Sequence, residues 1–214
     1  MDIRTKEAVR YLGYGKNEVD DKTLQEIQDS FRELERLADK KSIYRIFELS
    51  LKDENELKIG NVEIYSRNLR TNLKDCKQVV LFAATLGAEV DRLIRKMQVV
   101  DMAKAVVMQA CAATLLEEYS DELQQKIAER MQEQGKYIRP RFSPGYGDFS
   151  IQHQKDVLAM LETSKRIGVT MTDSYMLTPT KSVTAVIGIG DAEMNCNLNS
   201  CEECDKTDCT YRRS

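Results

Sequence analysis

The stretch Gln78-Val-Val-Leu-Phe-Ala-Ala-Thr-Leu-Gly87 decides the fold class of this 214-residue chain. It is a nearly continuous apolar run of strand length that ends at a glycine. A strand with one face in water alternates between apolar and polar residues, whereas an unbroken apolar run is typical of a strand buried on both faces. We therefore expect residues 78–87 to form a central strand of the sheet.

Further strands are predicted on the N-terminal side. Residues 42–50 are rich in aromatic and branched side chains. Residues 56–64 place apolar side chains on either side of Gly60-Asn61, which predicts a hairpin turn. Apolar residues recur at helical spacing over 22–39, and a short helix is expected over 5–12. The N-terminal part of the chain is therefore predicted to supply helices followed by antiparallel strands.

On the C-terminal side, helices and strands follow one another without a regular alternation. Helical periodicity predicts helices over 88–97, 101–134 and about 150–161, and strands are expected near 168–177 and 182–190. A parallel sheet would need a crossover helix after each strand, and that pattern is missing. The sequence thus predicts an α+β fold with a mixed or antiparallel twisted sheet and flanking helices.

The character of the sequence changes after residue 190, where it becomes polar, cysteine-rich and non-periodic. The residues before that point contain no internal repeat and no linker rich in Gly, Ser or Pro. We therefore expect one domain over residues 1–190 and a cysteine-rich tail over residues 191–214.

Composition and charge argue against several classes of function. The chain has 32 Lys and Arg against 35 Asp and Glu, a net charge of -3, so nucleic acid is not an expected partner. No apolar run approaches the roughly 18 residues that span a bilayer, and the charged N-terminus lacks the apolar region of a signal peptide. A cytoplasmic protein is expected. The single histidine, His153, excludes sites that need two imidazoles.

The loop Arg139-Pro-Arg-Phe-Ser-Pro-Gly-Tyr-Gly-Asp148 contains the first candidate binding residues. Its glycines allow the backbone to approach a ligand closely, and its arginines offer planar, bidentate donors to a carboxylate. Because the tyrosine adds a stacking face, the loop suits a zwitterionic aromatic ligand. The alternative is a rigid connector whose arginines form salt bridges and whose tyrosine packs on the core.

The longest predicted helix carries a group of carboxylates spaced three and four residues apart, namely Glu117, Glu118, Asp121 and Glu122. Residues at these spacings share a helix face, so the group could hold a ribose hydroxyl or an amino group. The alternative is an acidic face that is simply hydrated. His153 has no nucleophile motif beside it, so we assign no catalytic base to it.

The tail contains four of the six cysteines in the spacing C-x4-C-x2-C-x4-C, at Cys196, Cys201, Cys204 and Cys209. Thiolates this close repel one another unless a metal neutralises them, and a set of four suits zinc or an iron-sulfur cluster. The spacing matches neither a zinc ribbon nor a ferredoxin run, so the identity of the metal stays open. Redox-labile thiols and disulfides are the alternatives.

Three motifs in the second half of the chain together resemble one known family. Arg141-Phe-Ser-Pro-Gly-Tyr146 resembles the R-x-x-x-G-Y signature of the activation domain of cobalamin-dependent methionine synthase. Leu161-Glu-Thr-Ser-Lys-Arg-Ile-Gly-Val-Thr-Met-Thr-Asp-Ser174 is similar to the family's segment leading into T-E-S. Pro179-Thr-Lys-Ser-Val-Thr184 is similar to its P-G-A-S-V-S stretch. The motifs follow the family's order and spacing over about 141–190.

The resemblance implies a C-shaped α+β domain that binds S-adenosyl-L-methionine. It implies that Arg141 holds the methionine carboxylate of this ligand. The adenosyl group is then expected against the backbone of Ser143, Gly145 and Tyr146, with Tyr146 next to the adenine or the sulfonium.

The resemblance implies further ligand contacts on two other segments. Glu117 stands where the family has a helix carboxylate near the ligand. Ile187-Gly188 stands where the family has an aromatic pair, so backbone contacts alone are expected there. No catalytic residue is implied, because the sulfonium is already activated and needs only to be positioned.

The resemblance also implies a reaction and its partners. When bound cobalamin is oxidised to cob(II)alamin, an electron from a flavodoxin or ferredoxin and a methyl group from S-adenosylmethionine restore methylcobalamin. Because the sequence lacks the cobalamin-binding D-x-H-x-x-G motif, we expect a stand-alone reactivation subunit, the methyltransferase component, for a separate corrinoid protein. That protein would be a split methionine synthase or another corrinoid methyltransferase. The alternatives are an iron-sulfur redox protein that serves a corrinoid protein, and a non-catalytic binding module.

Overall fold

The computed structural model describes residues 1–14, 17–53 and 55–191. The N-terminal half of the fold consists of helices followed by strands, in the order α1 (Ile3–Tyr11), α2 (Asp21–Leu37), β1 (Lys41–Leu51), β2 (Glu56–Ile59), β3 (Val62–Tyr65), α3 (Arg67–Asn72) and β4 (Cys76–Thr85). The hairpin predicted around Gly60-Asn61 is confirmed, because β2 pairs with β3 across this turn.

The second half begins with two long helices and returns to the sheet at the end. Its elements are α4 (Ala88–Val100), α5 (Met102–Gln132), β5 (Tyr137–Ile138), a 3-10 turn (Ile151–His153), α6 (Gln154–Leu161), α7 (Thr163–Arg166), β6 (Thr170–Met171), β7 (Leu177–Thr178) and β8 (Ser182–Gly190). The helices predicted from periodicity are confirmed to within a few residues at each end.

The main sheet has six strands in the order β3-β2-β1-β4-β8-β5, and every neighbouring pair is antiparallel. Strands β6 and β7 form a separate two-stranded sheet. The α+β prediction is confirmed, and of the two sheet types left open the structure has the antiparallel one. Strand β4 lies between β1 and β8, so the segment that decided the fold class is central, as predicted.

Strand β4 contributes to two different cores through its two faces. Val79 and Leu81 pack with side chains of α3 and α6, whereas Val80 and Phe82 pack with side chains of α5. Successive residues of a strand point to opposite faces, so both sets must be apolar. This explains why the apolar run is continuous. A third cluster joins side chains of α1, α2, α4 and α5.

The prediction of one strand over 168–177 is wrong. This segment contains the two short strands β6 and β7, and the helix α7 precedes them. The Thr172 N–H donates to the Met176 carbonyl at 2.9 Å, and Tyr175 has a φ of 63°. A hydrogen-bonded turn with a left-handed residue reverses the chain here. The polar residues around Thr172 are the turn signal that the apolar pattern obscured.

Strand β8 ends at Gly190, the residue at which the sequence changes character. The division into a domain of residues 1–190 and a tail of residues 191–214 stays a prediction, because residues 192–214 lie outside the described part of the chain. Within the described residues, no helix combines the length and the apolar character that crossing a membrane requires.

Gly188 of β8 has no room for a side chain. A Cβ atom there would lie 2.7 Å from Cys76 Sγ, 2.8 Å from Leu73 Cδ2 and 2.9 Å from Arg139 Cγ. Overpacking a closed core costs about 1–3 kcal/mol, so Gly188→Ala is expected to lower the free energy of unfolding by that amount in urea titrations. Gly190→Ala is the matched control on the same strand.

The control should cost less for a geometric reason. The nearest atom to a Cβ on Gly190 is Arg139 Nη2 at 3.1 Å, at the far end of a long side chain. This contact requires a smaller shift than the three atoms at 2.7–2.9 Å around a Cβ on Gly188. Equal losses of stability for the two alanine variants would contradict the prediction.

Candidate functional site

The candidate loop begins as the edge of the main sheet. After β5, the Arg139 N–H donates to the Gly188 carbonyl at 2.8 Å, and Phe142 then pairs with Val186 through two hydrogen bonds of 2.9 Å. Between these two contacts the loop moves on by three residues, from Arg139 to Phe142, whereas β8 moves by two, from Gly188 to Val186. One extra residue is accommodated in the loop, as in a β-bulge.

The bulge turns the two arginines of the loop to opposite faces of the sheet. Arg139 is only 2% exposed and lies against Gly188, on the face covered by α3. Arg141 extends to the other face and reaches α5. In a regular strand, residues two apart point to the same face. The extra residue thus determines that Arg141, and not Arg139, meets the acidic helix.

Three side chains of α5 hold Arg141. Its Nη1 donates to Gln124 Oε1 at 3.0 Å, and its Nη2 donates to Glu117 Oε2 at 3.1 Å and to Asp121 Oδ1 at 2.7 Å. The acceptors are four and three residues apart and share one face of the helix. The structure brings together Arg141 and Glu117, the two charged residues predicted for the site. These ion pairs are also the ones that the rigid-connector alternative predicts.

The ion pairs of Arg141 remain open to water on one side. The side chain of Arg141 is 17% exposed, whereas that of Asp121 is 67% exposed. Pairs this exposed contribute about 0–1 kcal/mol to stability, so an incoming anion could compete for the guanidinium.

Tyr11 of helix α1 lies near Glu117. Burial raises the pKa of Tyr11, and the negative charge of the Glu117 carboxylate raises it further. Helix α1 therefore also borders the site.

The turn that follows Arg141 is exposed and internally hydrogen-bonded. The Tyr146 N–H donates to the Ser143 carbonyl at 3.1 Å, and the Gly145 N–H donates to the Phe149 carbonyl at 2.7 Å. Gly145 has a φ of 91°, which side-chain-bearing residues rarely adopt. Tyr146 is 56% exposed. The predicted residues Ser143, Gly145 and Tyr146 thus form one accessible surface next to Arg141 in the chain.

The structure places Ile187 and Gly188 inside the sheet. Ile187 is fully buried and packs in the core beneath α5. Gly188 pairs with Val79 of β4 and accepts a hydrogen bond from the Arg139 N–H. Both residues are therefore part of the sheet, and their backbone groups take part in its pairing. Their contact with a ligand stays a prediction.

Sequence reasoning missed two residues that hold the loop. Asp148 accepts hydrogen bonds from Ser66 Oγ at 2.5 Å, the Arg67 N–H at 2.8 Å and the Asn68 N–H at 3.1 Å. Burial raises the pKa of Asp148, but these hydrogen bonds outweigh it and hold the pKa below its ordinary value. Phe149 is only 1% exposed. Asp148 was visible in the loop, but nothing local indicates a partner 80 positions earlier.

Two further predictions concern residues outside this surface. His153 stacks on Phe149 with ring centroids 5.6 Å apart, and its Nδ1 lies 2.8 Å from Asp156 Oδ2, so it is a packed histidine. The metal ligands predicted in the tail, Cys196, Cys201, Cys204 and Cys209, lie outside the described residues. Among the residues that are described, no group of His, Cys, Asp and Glu has the arrangement of a metal site.

Comparison with known proteins supports the resemblance read from the motifs. Residues 65–214 match the family model described as vitamin B12 dependent methionine synthase, activation domain. The fold is similar to that of the MetH reactivation domain bound to AdoHcy, with a TM-score of 0.62 and 15% identity over 91% of this chain and 78% of that chain. No curated protein matches the chain significantly. The chain belongs to the family of vitamin B12-dependent methionine synthase activation domains.

Proposed function

We propose that the chain binds S-adenosylmethionine at Arg141 and the turn of residues 143–146, and that it uses this ligand to remethylate a corrinoid held by a partner. Membership of the activation-domain family supports the reaction. The observation that supports the site is the contact of Arg141, which precedes the exposed turn in the chain, with the acidic face of α5. In this proposal the partner that holds the corrinoid is a split methionine synthase or another corrinoid methyltransferase.

The charges at the site match the amino-acid end of this ligand. A methionine group carries a carboxylate and an ammonium on the same carbon. Arg141 would donate to the carboxylate as a charge-assisted pair. Glu117 and Asp121, which now accept from Arg141, would accept from the ammonium. The exposed ring of Tyr146 offers a face to the adenine.

The chemistry then requires positioning more than acid-base catalysis. The methyl carbon transfers from the sulfonium to cob(I)alamin, and the electron pair of the broken C–S bond stays on sulfur in S-adenosylhomocysteine. A flavodoxin- or ferredoxin-like donor would supply the electron that reduces cob(II)alamin. No side chain of this protein has to take up or release a proton, so we assign no catalytic residue.

The experiment that tests the proposal is a calorimetric titration of anaerobically purified protein with S-adenosylmethionine, with a visible spectrum of the same sample. Saturable one-to-one binding is expected. Binding without methyl transfer to a reduced corrinoid protein would instead favour a non-catalytic binding module. No binding together with a brown, cluster-like spectrum would favour the alternative of an iron-sulfur electron carrier for a corrinoid protein.

We also propose that the tail binds a metal through Cys196, Cys201, Cys204 and Cys209. The argument rests on their spacing in the sequence, since four cysteines within 14 residues can together supply the thiolate ligands of zinc or an iron-sulfur cluster. Elemental analysis for zinc and iron should find one metal centre per chain. A variant with serine at all four positions that retains the same metal content would contradict the assignment.

A further inference from the structure

Asp148 makes a contact between two distant parts of the chain. Helix α3 begins after Ser66, whose hydroxyl accepts from the Leu69 N–H at 3.0 Å. The N–H groups of the two preceding helical residues donate to Asp148 instead. The first N–H groups of a helix have no partner within the helix and attract negative charge. The carboxylate of Asp148 therefore completes the cap of α3 from 80 positions downstream.

The same contact fixes the turn that precedes Asp148. Gly147 has a φ of 52°, and the side chain of Asn68 on α3 occupies the space where its Cβ would lie. The turn thus rests directly on the first residues of α3.

Aromatic side chains on both sides of the turn, half-buried Phe142 and buried Phe149, complete its attachment. Phe142 precedes the turn, and its ring centroid lies 6.3 Å from that of Phe149, which follows it. Phe149 also stacks on His153. These apolar contacts hold the two ends of the loop. Asp148 adds the contacts between the end of the turn and the first N–H groups of α3.

We propose that Asp148 is a positioning residue, which holds the turn of residues 143–147 on α3 in the conformation that binds S-adenosylmethionine. The inference rests on the proposed function for its ligand. Ordering a flexible residue costs conformational entropy. Without the contact of Asp148, the turn would have to be ordered when the ligand binds. The affinity for the ligand would therefore be lower.

The test compares two aspartates that cap helices. In Asp148→Asn the side chain has one oxygen that can accept hydrogen bonds instead of two, and it carries no charge. The matched control, Asp20→Asn, makes the same change at the cap of α2. There Asp20 accepts hydrogen bonds from the Thr23 N–H at 2.9 Å and from the Thr23 hydroxyl at 2.7 Å. Because asparagine caps a helix about as well as aspartate does, Asp20→Asn should change stability little. Asp148→Asn should be less stable, because its single amide oxygen cannot replace both oxygens that accept from Ser66, Arg67 and Asn68.

The affinity for S-adenosylmethionine should separate the two variants. We expect Asp148→Asn to bind about tenfold more weakly, the effect of re-ordering one turn residue, and Asp20→Asn to bind as the parent protein does. Amide hydrogen exchange should rise in residues 143–149 of Asp148→Asn alone. Equal affinities together with unchanged exchange in the turn would overturn the proposal.

Two features keep the test decisive. Exchange in the turn needs no ligand, so it tests the anchoring by Asp148 even if the parent protein fails to bind S-adenosylmethionine, which would refute the proposed function alone. If Asp148→Asn does not fold, Ser66→Ala removes one of the three donors to Asp148 and should shift affinity and exchange in the same direction by a smaller factor. No shift in either would again overturn the proposal.

Discussion

Replacing Phe149 with alanine is expected to lower the free energy of unfolding by about 3–5 kcal/mol, the range for truncating a buried phenylalanine. The side chain is only 1% exposed and belongs to the core cluster that lines one face of β4. Its ring also contacts those of Phe142 and His153. Removing it leaves a cavity beneath the loop, which urea unfolding followed by circular dichroism would report.

Tyr146→Ala is the control for this prediction. Tyr146 lies in the same loop, three residues before Phe149, but its side chain is 56% exposed. Substitutions at exposed positions usually change stability by no more than about 0.5 kcal/mol. If Phe149→Ala destabilised the protein no more than Tyr146→Ala does, Phe149 would not be the anchor that the packing indicates.

Replacing Arg141 with alanine is expected to weaken binding of S-adenosylmethionine by about 1.5–3 kcal/mol, or roughly 10- to 150-fold in the dissociation constant. The reason is the loss of a charge-assisted hydrogen bond to the ligand carboxylate. Arg141→Lys should recover only part of the affinity, because an ammonium lacks the planar fork of the guanidinium. Calorimetric titration of the three proteins measures these differences.

Arg45→Ala provides a matched control for the removal of a paired arginine. Arg45 donates to Glu162 Oε2 at 2.7 Å and to the Met160 carbonyl at 3.2 Å, on a different part of the surface. Its loss should leave the affinity unchanged. An unchanged affinity in Arg141→Ala as well would remove Arg141 from the binding site, and its ion pairs with α5 would then be its whole role, as in the rigid-connector interpretation.

The sequence predicted the strands of the fold well because their signals are local. The apolar run of β4 reflects a strand with both faces covered, and this reading needs no knowledge of the neighbouring strands. The hairpin of β2 and β3 followed from Gly60-Asn61, which has the composition of a tight turn. The segment 168–177 was misread because two strands of two residues each are too short to show a period.

The candidate site was predicted in part, and the missing part has a physical explanation. The motif around Arg141 and the carboxylate at Glu117 were recognised separately, each from its own residue types. Their pairing across 24 positions depends on how β8 and α5 pack, which no local pattern encodes. The contact of Asp148 with α3 spans 80 positions and was missed for the same reason.

The α+β class, the central strand and the resemblance to the activation-domain family can be predicted from the sequence alone, because each depends on the residue types within a short segment. The tertiary structure decided which of two arginines faces the acidic helix. Arg139 and Arg141 are alike in sequence, two positions apart in one loop. One extra residue in the pairing with β8 turns Arg139 into the core and Arg141 towards α5. Pairing register is a property of two strands together, so only the folded chain could make that choice.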